Sequence, residues 1–117
     1  MSDIDLAQRL VKHVKSNAIV LVRRGQAIGI GAGQQSRVDS VKIAIEKARR
    51  YGHALRGAVC ASDGFFPFPD SVELLARAGI SAVVEPGGSV RDADVVAAAK
   101  KNRLTLFFTG RRHFRHS

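Results

Sequence analysis

The sequence from residue 57 to residue 84, GAVCASDGFFPFPDSVELLARAGISAVV, decides the fold. Residues 57–61 and 80–84 are short, nearly continuous apolar runs, which are typical of strands covered by helices. Between them, residues 70–78 carry apolar side chains at helical spacing, which predicts a helix. Asp70 can cap the start of this helix, and Gly79 can end it. A strand, a helix and a second strand in this order predict a right-handed crossover between parallel strands.

The alternation of strands and helices continues on both sides of this unit. Towards the C-terminus, residues 92–101 predict a helix and residues 104–108 a further buried strand. Towards the N-terminus, residues 18–22 and 26–30 predict two antiparallel strands joined by a tight turn at residues 24–25.

Two more helices flank this hairpin. Ser2 or Asp3 can cap the first helix, Ser36 can cap the second, and Gly52 can close the second. The sequence therefore predicts one domain over residues 1–117: a three-layer α/β/α sandwich in which the hairpin is followed by βαβαβ. Its five-stranded mixed sheet has four parallel strands and one antiparallel strand. The apolar positions of the two helices are Leu6, Leu10, Val11 and Val14, then Val38, Val41, Ile45 and Ala48.

The composition is that of an ordinary globular chain. Of 117 residues, 45% are hydrophobic and 25% charged, and no apolar run approaches the roughly 18 residues that a membrane span needs. The N-terminal residues are polar and acidic, so we expect no secretory signal and a cytoplasmic location. Cys60 is the single cysteine, so we expect neither an internal disulfide nor a metal site.

The net charge of +9 is the abnormal feature of the composition. An excess of this size favours an anionic partner, such as a phosphorylated metabolite or a nucleic acid. The alternative is a protein whose exposed faces simply carry many lysines and arginines. Nucleic acid is the weaker candidate, because the chain has only seven aromatic residues (six Phe and one Tyr) and no recognisable docking motif.

Ligands of such sheets bind beyond the carboxyl ends of the parallel strands. Four segments leave these ends, namely residues 31–37, 62–70, 85–89 and 109–116. They are also the least generic stretches of the chain. We therefore expect a binding site where these loops meet.

The segment GIGAGQQSR, residues 29–37, has two open interpretations. Its alternating glycines do not match the GxGxxG spacing of dinucleotide-binding loops, because that motif would need a glycine where Gln34 stands. These glycines therefore allow either close backbone packing or the approach of a ligand. Arg37 and the backbone N–H groups at the start of the helix can hold an anion. Ser36 can equally be only a helix cap.

The other two informative segments are aromatic and basic. Three Phe residues in the Pro-flanked loop at residues 62–69 are costly to leave in water, so at least one should pack in the core, while Phe65 can stack on an aromatic ligand. The tail TGRRHFRHS can bind phosphate through its arginines, although such charge runs are usually solvated. His113 and His116 could act as bases but are more often only polar, and no catalytic triad can be argued from spacing.

Five motifs give the chain a family resemblance. They are KHVKSNAIV at 12–20, IGIGAGQQSRVDSVKIA at 28–44, ASDGFFPFPDSVELLARAGI at 61–80, PGGSVRD at 86–92 and FTGRRHFRH at 108–116. Through these motifs the chain resembles, over residues 10–116, the C-terminal end of AICAR transformylase, within the bifunctional AICAR transformylase/IMP cyclohydrolase family of purine biosynthesis. The resemblance implies the second of two cytidine-deaminase-like subdomains.

This resemblance implies a substrate, a co-substrate and the residues that bind them. The family transfers a formyl group from formyl-tetrahydrofolate to the amine of aminoimidazole carboxamide ribonucleotide (AICAR). Arg37 and Arg112 match arginines that bind the nucleotide and its phosphate, and Phe65 matches the aromatic that packs on the imidazole ring. The residues implied for AICAR are Asn17, Gln35, Ser36, Arg37, Phe65 and Arg112, and those for the folate are Pro67, Asp70, Gly88 and Ser89.

The resemblance also implies that the site is incomplete. The family places an adjacent Lys and His, used for proton transfer and oxyanion stabilisation, in its first transformylase subdomain, which this chain lacks. Lys12 and His13 lie in the context KHVKSNA, which matches a different part of the family. We therefore expect no catalytic residue here, no activity without a partner that supplies the pair, and self-association. A non-catalytic purine-nucleotide or folate module and a basic nucleic-acid-binding domain remain as alternatives.

Overall fold

A computed structural model describes residues 2–110 of the chain. The predicted order of elements is confirmed, and most boundaries differ from the prediction by at most two residues. The first helix is the exception: it ends at Val11, so Val14, predicted on its apolar face, lies beyond it. The elements are α1 (Asp3–Val11), β1 (Ile19–Arg23), β2 (Gln26–Gly31), α2 (Arg37–Arg50), β3 (Val59–Ser62), α3 (Asp70–Ala78), β4 (Ala82–Glu85), α4 (Asp92–Lys101) and β5 (Thr105–Phe108).

The five strands form one mixed sheet in the order β2-β1-β3-β4-β5. Strand β1 is antiparallel to both of its neighbours, whereas β3, β4 and β5 are parallel to one another. Four strands therefore point one way and β1 points the other, as predicted. The carboxyl ends of these four strands lie at the same edge as the start of β1, so that edge gathers five loop segments.

The helices cover the two faces of the sheet unequally. Helices α2, α3 and α4 pack on one face, where they form the larger core with apolar side chains of every strand. Helix α1 packs alone on the other face, through Ala7 and Val11, against β1, β3 and β4. This arrangement is the predicted three-layer sandwich, and it follows from right-handed crossovers that all advance in the same direction.

Serine caps fix the starts of the first two helices. The Ser2 hydroxyl accepts a hydrogen bond from the Asp5 N–H at 3.1 Å, and the Ser36 hydroxyl accepts one from the Asp39 N–H at 3.1 Å. The predicted cap at Asp70 is wrong: Pro69 precedes the helix, and Asp70 is its first residue. Proline fits there because its fixed φ suits a helix start, where an N–H would lack a helical partner.

Two strand glycines are explained by close packing of a helix on the sheet. A Cβ atom at Gly31 would overlap the carbonyl oxygen of Ser40, and one at Gly29 would overlap that of Ala44. Both carbonyls belong to α2, so the alternating glycines of β2 allow this helix to lie directly on the strand. Of the two interpretations left open by the sequence, the structure supports close backbone packing.

The prediction of a buried final strand is wrong. Strand β5 is an edge strand, and the side chains of Phe107 and Phe108 are each 43% exposed. The sequence pattern is apolar on both faces, but α1 does not reach this edge and α4 covers only part of the other face. The neighbourhood of the strand, rather than its composition, therefore sets its exposure. Within residues 2–110, no helix has the length and apolar character needed to cross a membrane.

We predict that Gly31→Ala destabilises the protein by about 3 kcal/mol, because the added methyl group forces α2 away from β2. The matched control is Gly52→Ala, at φ +77° with no atom within 4 Å of the added carbon. Its left-handed backbone should cost only about 1 kcal/mol. Urea unfolding of the three proteins measures both effects, and equal losses in the two variants would contradict the packing explanation.

Candidate functional site

A cavity of about 640 Å³ opens at the carboxyl edge of the sheet. It lies between the start of α2 and the aromatic loop that joins β3 to α3. Seven of the ten residues implied for substrate and folate line it. The complete lining is Asn17, Gln35, Ser36, Arg37, Val38, Phe65, Pro67, Phe68, Asp70 and Ser71.

Asn17 connects the start of β1 to the loop before α2. Its side-chain amide donates hydrogen bonds to the backbone carbonyls of Gln34 and Gln35, at 3.0 and 2.9 Å. Its side-chain oxygen accepts a hydrogen bond from Nη2 of Arg37 at 2.7 Å. These bonds fix the orientation of both Asn17 and Arg37 before any ligand arrives.

Arg37 is buried, with an exposed fraction of only 8%. Its Nη1 forms an ion pair with Asp63, a wholly buried carboxylate, and donates a hydrogen bond to the Ser62 hydroxyl at 3.1 Å. Asp63 also accepts hydrogen bonds from the Ala18 N–H at 3.0 Å and from the Ser16 hydroxyl. The positive charge of Arg37 is therefore balanced inside the protein, and its guanidinium enters the cavity wall as a fixed hydrogen-bonding plane.

The three phenylalanines of the aromatic loop have three different environments. Phe66 is fully buried in the larger core, which confirms that at least one of them is a core residue. Phe65 is half-buried and lines the cavity. Phe68 is 52% exposed, and the guanidinium of Arg91 lies 5.6 Å from its ring centroid. Buried Phe66 thus anchors the loop while Phe65 faces the cavity.

Gly88 and Ser89, the other two predicted residues that the structure describes, do not line this cavity. The N–H groups of Gly88 and Ser89 donate to the Asp92 carboxylate, at 2.7 and 3.1 Å, so this loop is tied to the start of α4. Arg112, His113 and His116 lie outside the described residues.

Glu85, the last residue of β4, is a further residue of this edge that the sequence pattern does not predict as part of the site. Its side chain is buried, and its carboxylate accepts hydrogen bonds from the N–H groups of Phe66 and Gly87. Burial raises the pKa of Glu85 from 4.5 to about 7, against the lowering effect of the two hydrogen bonds. Nearby Asp92 raises this pKa further and Arg37 lowers it. The available signal was a carboxylate ending an otherwise apolar strand, at the edge where ligands bind.

Cys60 lies in the middle of β3 and is completely buried. Burial raises the pKa of its thiol, so the thiolate is disfavoured at neutral pH. Within residues 2–110, no group of three His, Cys, Asp or Glu side chains is placed to hold a metal ion.

Solved structures identify the fold as one of the cytidine-deaminase-like α/β folds. The dCMP deaminase of cyanophage S-TIM5, in complex with dCMP and dUMP, superposes with a TM-score of 0.67 at 14% identity, covering 93% of this chain and 98% of the deaminase. A diaminohydroxyphosphoribosylaminopyrimidine deaminase/5-amino-6-(5-phosphoribosylamino)uracil reductase from Thermotoga maritima gives a TM-score of 0.60 at 24% identity, covering 90% of this chain and 33% of that protein. At these identities the similarity establishes the fold alone.

Sequence comparisons show which proteins the chain is related to. Residues 1–47 match the model of the AICARFT/IMPCHase bienzyme family. The bifunctional purine biosynthesis protein PurH of Desulfitobacterium hafniense is 60% identical over 116 residues, and that of Aquifex aeolicus is 52% identical over 116 residues. The chain is therefore homologous to part of these bifunctional purine biosynthesis proteins, as its motifs indicated. These alignments cover 99% of the chain but only 22% and 23% of the two relatives.

We predict that Asp63→Asn costs about 3–5 kcal/mol of stability, because Arg37 would keep a buried charge without its partner. The control is Glu46→Gln, which removes a carboxylate from the exposed ion pair with Arg50 and should cost only about 0.5 kcal/mol. Chemical denaturation measures both changes. A loss near the control value for Asp63→Asn would show that the buried pair contributes little.

We also predict that Glu85 makes the fold less stable as pH rises. Since its pKa is raised to about 7 in the folded protein, its stabilising contribution is complete below about pH 4.5 and is lost as the pH rises through 7. Between pH 5.5 and 8 this loss amounts to about 2 kcal/mol.

The free energy of unfolding, measured across that range for wild type and Glu85→Gln, tests this prediction. The variant should lack this decline. Parallel curves for the two proteins would contradict the assignment to Glu85.

Proposed function

We propose that the cavity at the carboxyl edge binds AICAR, as the nucleotide-binding part of an AICAR transformylase-like site. The observation that supports this is the convergence of seven implied ligand-binding residues, drawn from three separated segments of the chain, on one cavity. These segments precede β1, precede α2 and follow β3. Homology to part of the bifunctional purine biosynthesis proteins supports the choice of a purine precursor as the ligand.

The proposed binding mode assigns each wall of the cavity to a part of the nucleotide. Phe65 packs on the imidazole ring, because a half-buried ring beside a cavity offers a flat apolar surface. The polar wall, which contains Asn17 and Arg37, hydrogen-bonds the polar groups of the ligand.

Since Asp63 balances Arg37, the charge of the phosphate needs a further cation. We propose that Arg112, in the basic tail, is this cation, because the sequence resemblance implies that it binds the nucleotide and its phosphate. The net charge of +9 also favours an anionic ligand at this edge.

For formyl-tetrahydrofolate we propose a site next to the same cavity. Pro67 and Asp70 line its wall, while Gly88 and Ser89 lie on the neighbouring loop after β4. In the transfer, the AICAR amine attacks the formyl carbon and loses a proton, the bond from that carbon to the folate nitrogen breaks, and the folate nitrogen gains a proton, which releases tetrahydrofolate. The family's Lys-His pair is not assigned to any residue here, so we propose that transfer requires a partner carrying that pair. Self-association and a cytoplasmic location remain predictions.

A non-catalytic role is the second candidate. The observation that favours it is that the residues that line the cavity include seven implied for binding, and none of these seven is implied as the acid–base pair. Under this alternative the chain binds AICAR or a folate without transferring a formyl group. A formyl-transfer assay, run with and without the remaining portion of a bifunctional relative, distinguishes the two: transfer that appears only on addition supports the first candidate.

We predict that calorimetry detects AICAR binding by the wild-type chain and that Phe65→Ala raises the Kd. Loss of ring stacking should cost about 1–3 kcal/mol, or roughly 5- to 150-fold in Kd. The matched control is Phe107→Ala, which removes an equally large ring from β5, away from the cavity lining. Arg112→Ala should also weaken binding.

The outcomes separate the candidate functions. Equal effects of Phe65→Ala and Phe107→Ala would contradict the proposed binding mode. Absence of AICAR binding, combined with salt-dependent retention of RNA or DNA, would instead favour a nucleic-acid-binding domain.

A further inference from the structure

The Glu85 carboxylate connects two loops at the carboxyl edge. Its Oε2 accepts a hydrogen bond from the Phe66 N–H at 3.2 Å, and its Oε1 accepts one from the Gly87 N–H at 2.9 Å. The first donor belongs to the aromatic loop after β3 and the second to the loop after β4. The backbone carbonyl of Glu85 also accepts a hydrogen bond from the Thr109 N–H at 2.9 Å, so one residue joins three strand ends.

The bond to the Phe66 N–H bears directly on the cavity. That N–H belongs to the peptide unit between Phe65 and Phe66, and the unit is planar. When the orientation of this peptide unit is fixed, the backbone of Phe65, which precedes it, is restricted. The buried ring of Phe66 anchors the residue that follows it. The position of the Phe65 ring in the cavity wall therefore depends on a carboxylate that does not itself line the cavity.

The bond to Gly87 is equally constrained. Gly87 has φ +75°, and a Cβ atom there would lie 3.2 Å from the Phe108 ring and 3.5 Å from the Asp92 carboxylate. Gly87 therefore lies close to Phe108 and Asp92, and the hydrogen bond to Glu85 fixes the orientation of its N–H. The next residue, Gly88, belongs to the proposed folate side.

From this geometry we infer that Glu85 is a positioning residue for the nucleotide cavity: its ionised carboxylate holds both loops, and its protonation releases one of them and weakens ligand binding. The inference rests on the proposed binding of AICAR. An ionised carboxylate can accept through both oxygens, whereas a protonated one offers a hydroxyl in place of one acceptor. Binding should therefore strengthen as pH rises.

The groups around Glu85 put this change in the neutral range. Cys60 on β3 interacts with it electrostatically, Arg37 on α2 lowers its pKa, and Asp92 on α4 raises it. Desolvation by burial is the largest effect and brings the pKa to about 7. At pH 6 most molecules carry the neutral form, and at pH 8 most carry the ionised form.

The test compares wild type, Glu85→Gln and Asp92→Asn in two measurements. Calorimetry with AICAR at pH 6 and pH 8 gives the affinity, and NMR of isotope-labelled protein follows the Phe66 and Gly87 amide signals through the same range without ligand. Titration of the AICAR phosphate changes the Kd by the same factor in every variant. Beyond that change, we expect the Kd of wild type to be about fivefold larger at pH 6 than at pH 8. Glu85→Gln should show only the phosphate contribution, with amides that do not titrate.

Asp92→Asn serves as the second variant, because it keeps the Glu85 carboxylate while removing a neighbouring negative charge. The midpoint of the amide titration should move to lower pH in this variant, which a purely structural contribution of Glu85 would not produce. Thermal melting at pH 6 and pH 8 confirms that each variant is folded.

The outcomes distinguish failure of the inference from failure of the proposed function. If wild type binds AICAR, Phe65→Ala weakens binding and Glu85→Gln keeps the wild-type pH profile, the inference is overturned and the proposed function stands. If no protein binds AICAR, the proposed function fails, and the inferred link to nucleotide binding fails with it. In that case, titration of the Phe66 and Gly87 amide signals in wild type, but not in Glu85→Gln, would still support the conclusion that Glu85 joins the two loops. Amide signals that do not titrate in wild type would overturn that conclusion.

Discussion

The buried ion pair between Arg37 and Asp63 is the interaction on which the carboxyl edge of this protein depends. Asp63 follows β3 and Arg37 begins α2, so the pair joins a strand end to a helix start, and the Ala18 N–H adds the residue before β1. A charge buried without its partner costs several kcal/mol. The three segments consequently stabilise one another only when all of them are in place, and the polar wall of the cavity is the result.

A second buried carboxylate, Glu85, organises the other side of the same edge. Asp63 has a cationic partner in contact, whereas Glu85 has two backbone N–H groups and a strongly desolvated environment. The neutral form of Glu85 favours the folded state, while the ionised form is the better acceptor for the two loops. Folding stability and order at the site therefore respond to pH in opposite directions, a conflict that is common at functional sites.

The cavity wall alone does not supply everything that the proposed ligands require. Arg37 is neutralised internally, so an anionic ligand would need a further cation, the role proposed for Arg112, and the chain spans about a fifth of the length of its bifunctional relatives. We therefore propose that this domain contributes shape, stacking and fixed hydrogen bonds to the site, and that proton transfer is contributed by other residues of the family's architecture. Under this proposal, binding of the nucleotide and catalysis are separable properties.

The sequence by itself determined the order of the elements, the single antiparallel strand and the loops that meet at one edge. Hydrophobic periodicity and glycine turns are local signals, and the handedness of crossovers converts them into a topology. Only the tertiary structure decided that Gly29 and Gly31 accommodate a helix, that Arg37 is neutralised, that β5 is exposed and that Glu85 holds two loops. The physical reason is that burial and charge depend on partners distant in sequence: Arg37 and Asp63 are 26 residues apart, and Phe66 and Glu85 are 19 residues apart. No local pattern specifies such distances, because they are fixed only when the sheet and its helices pack together.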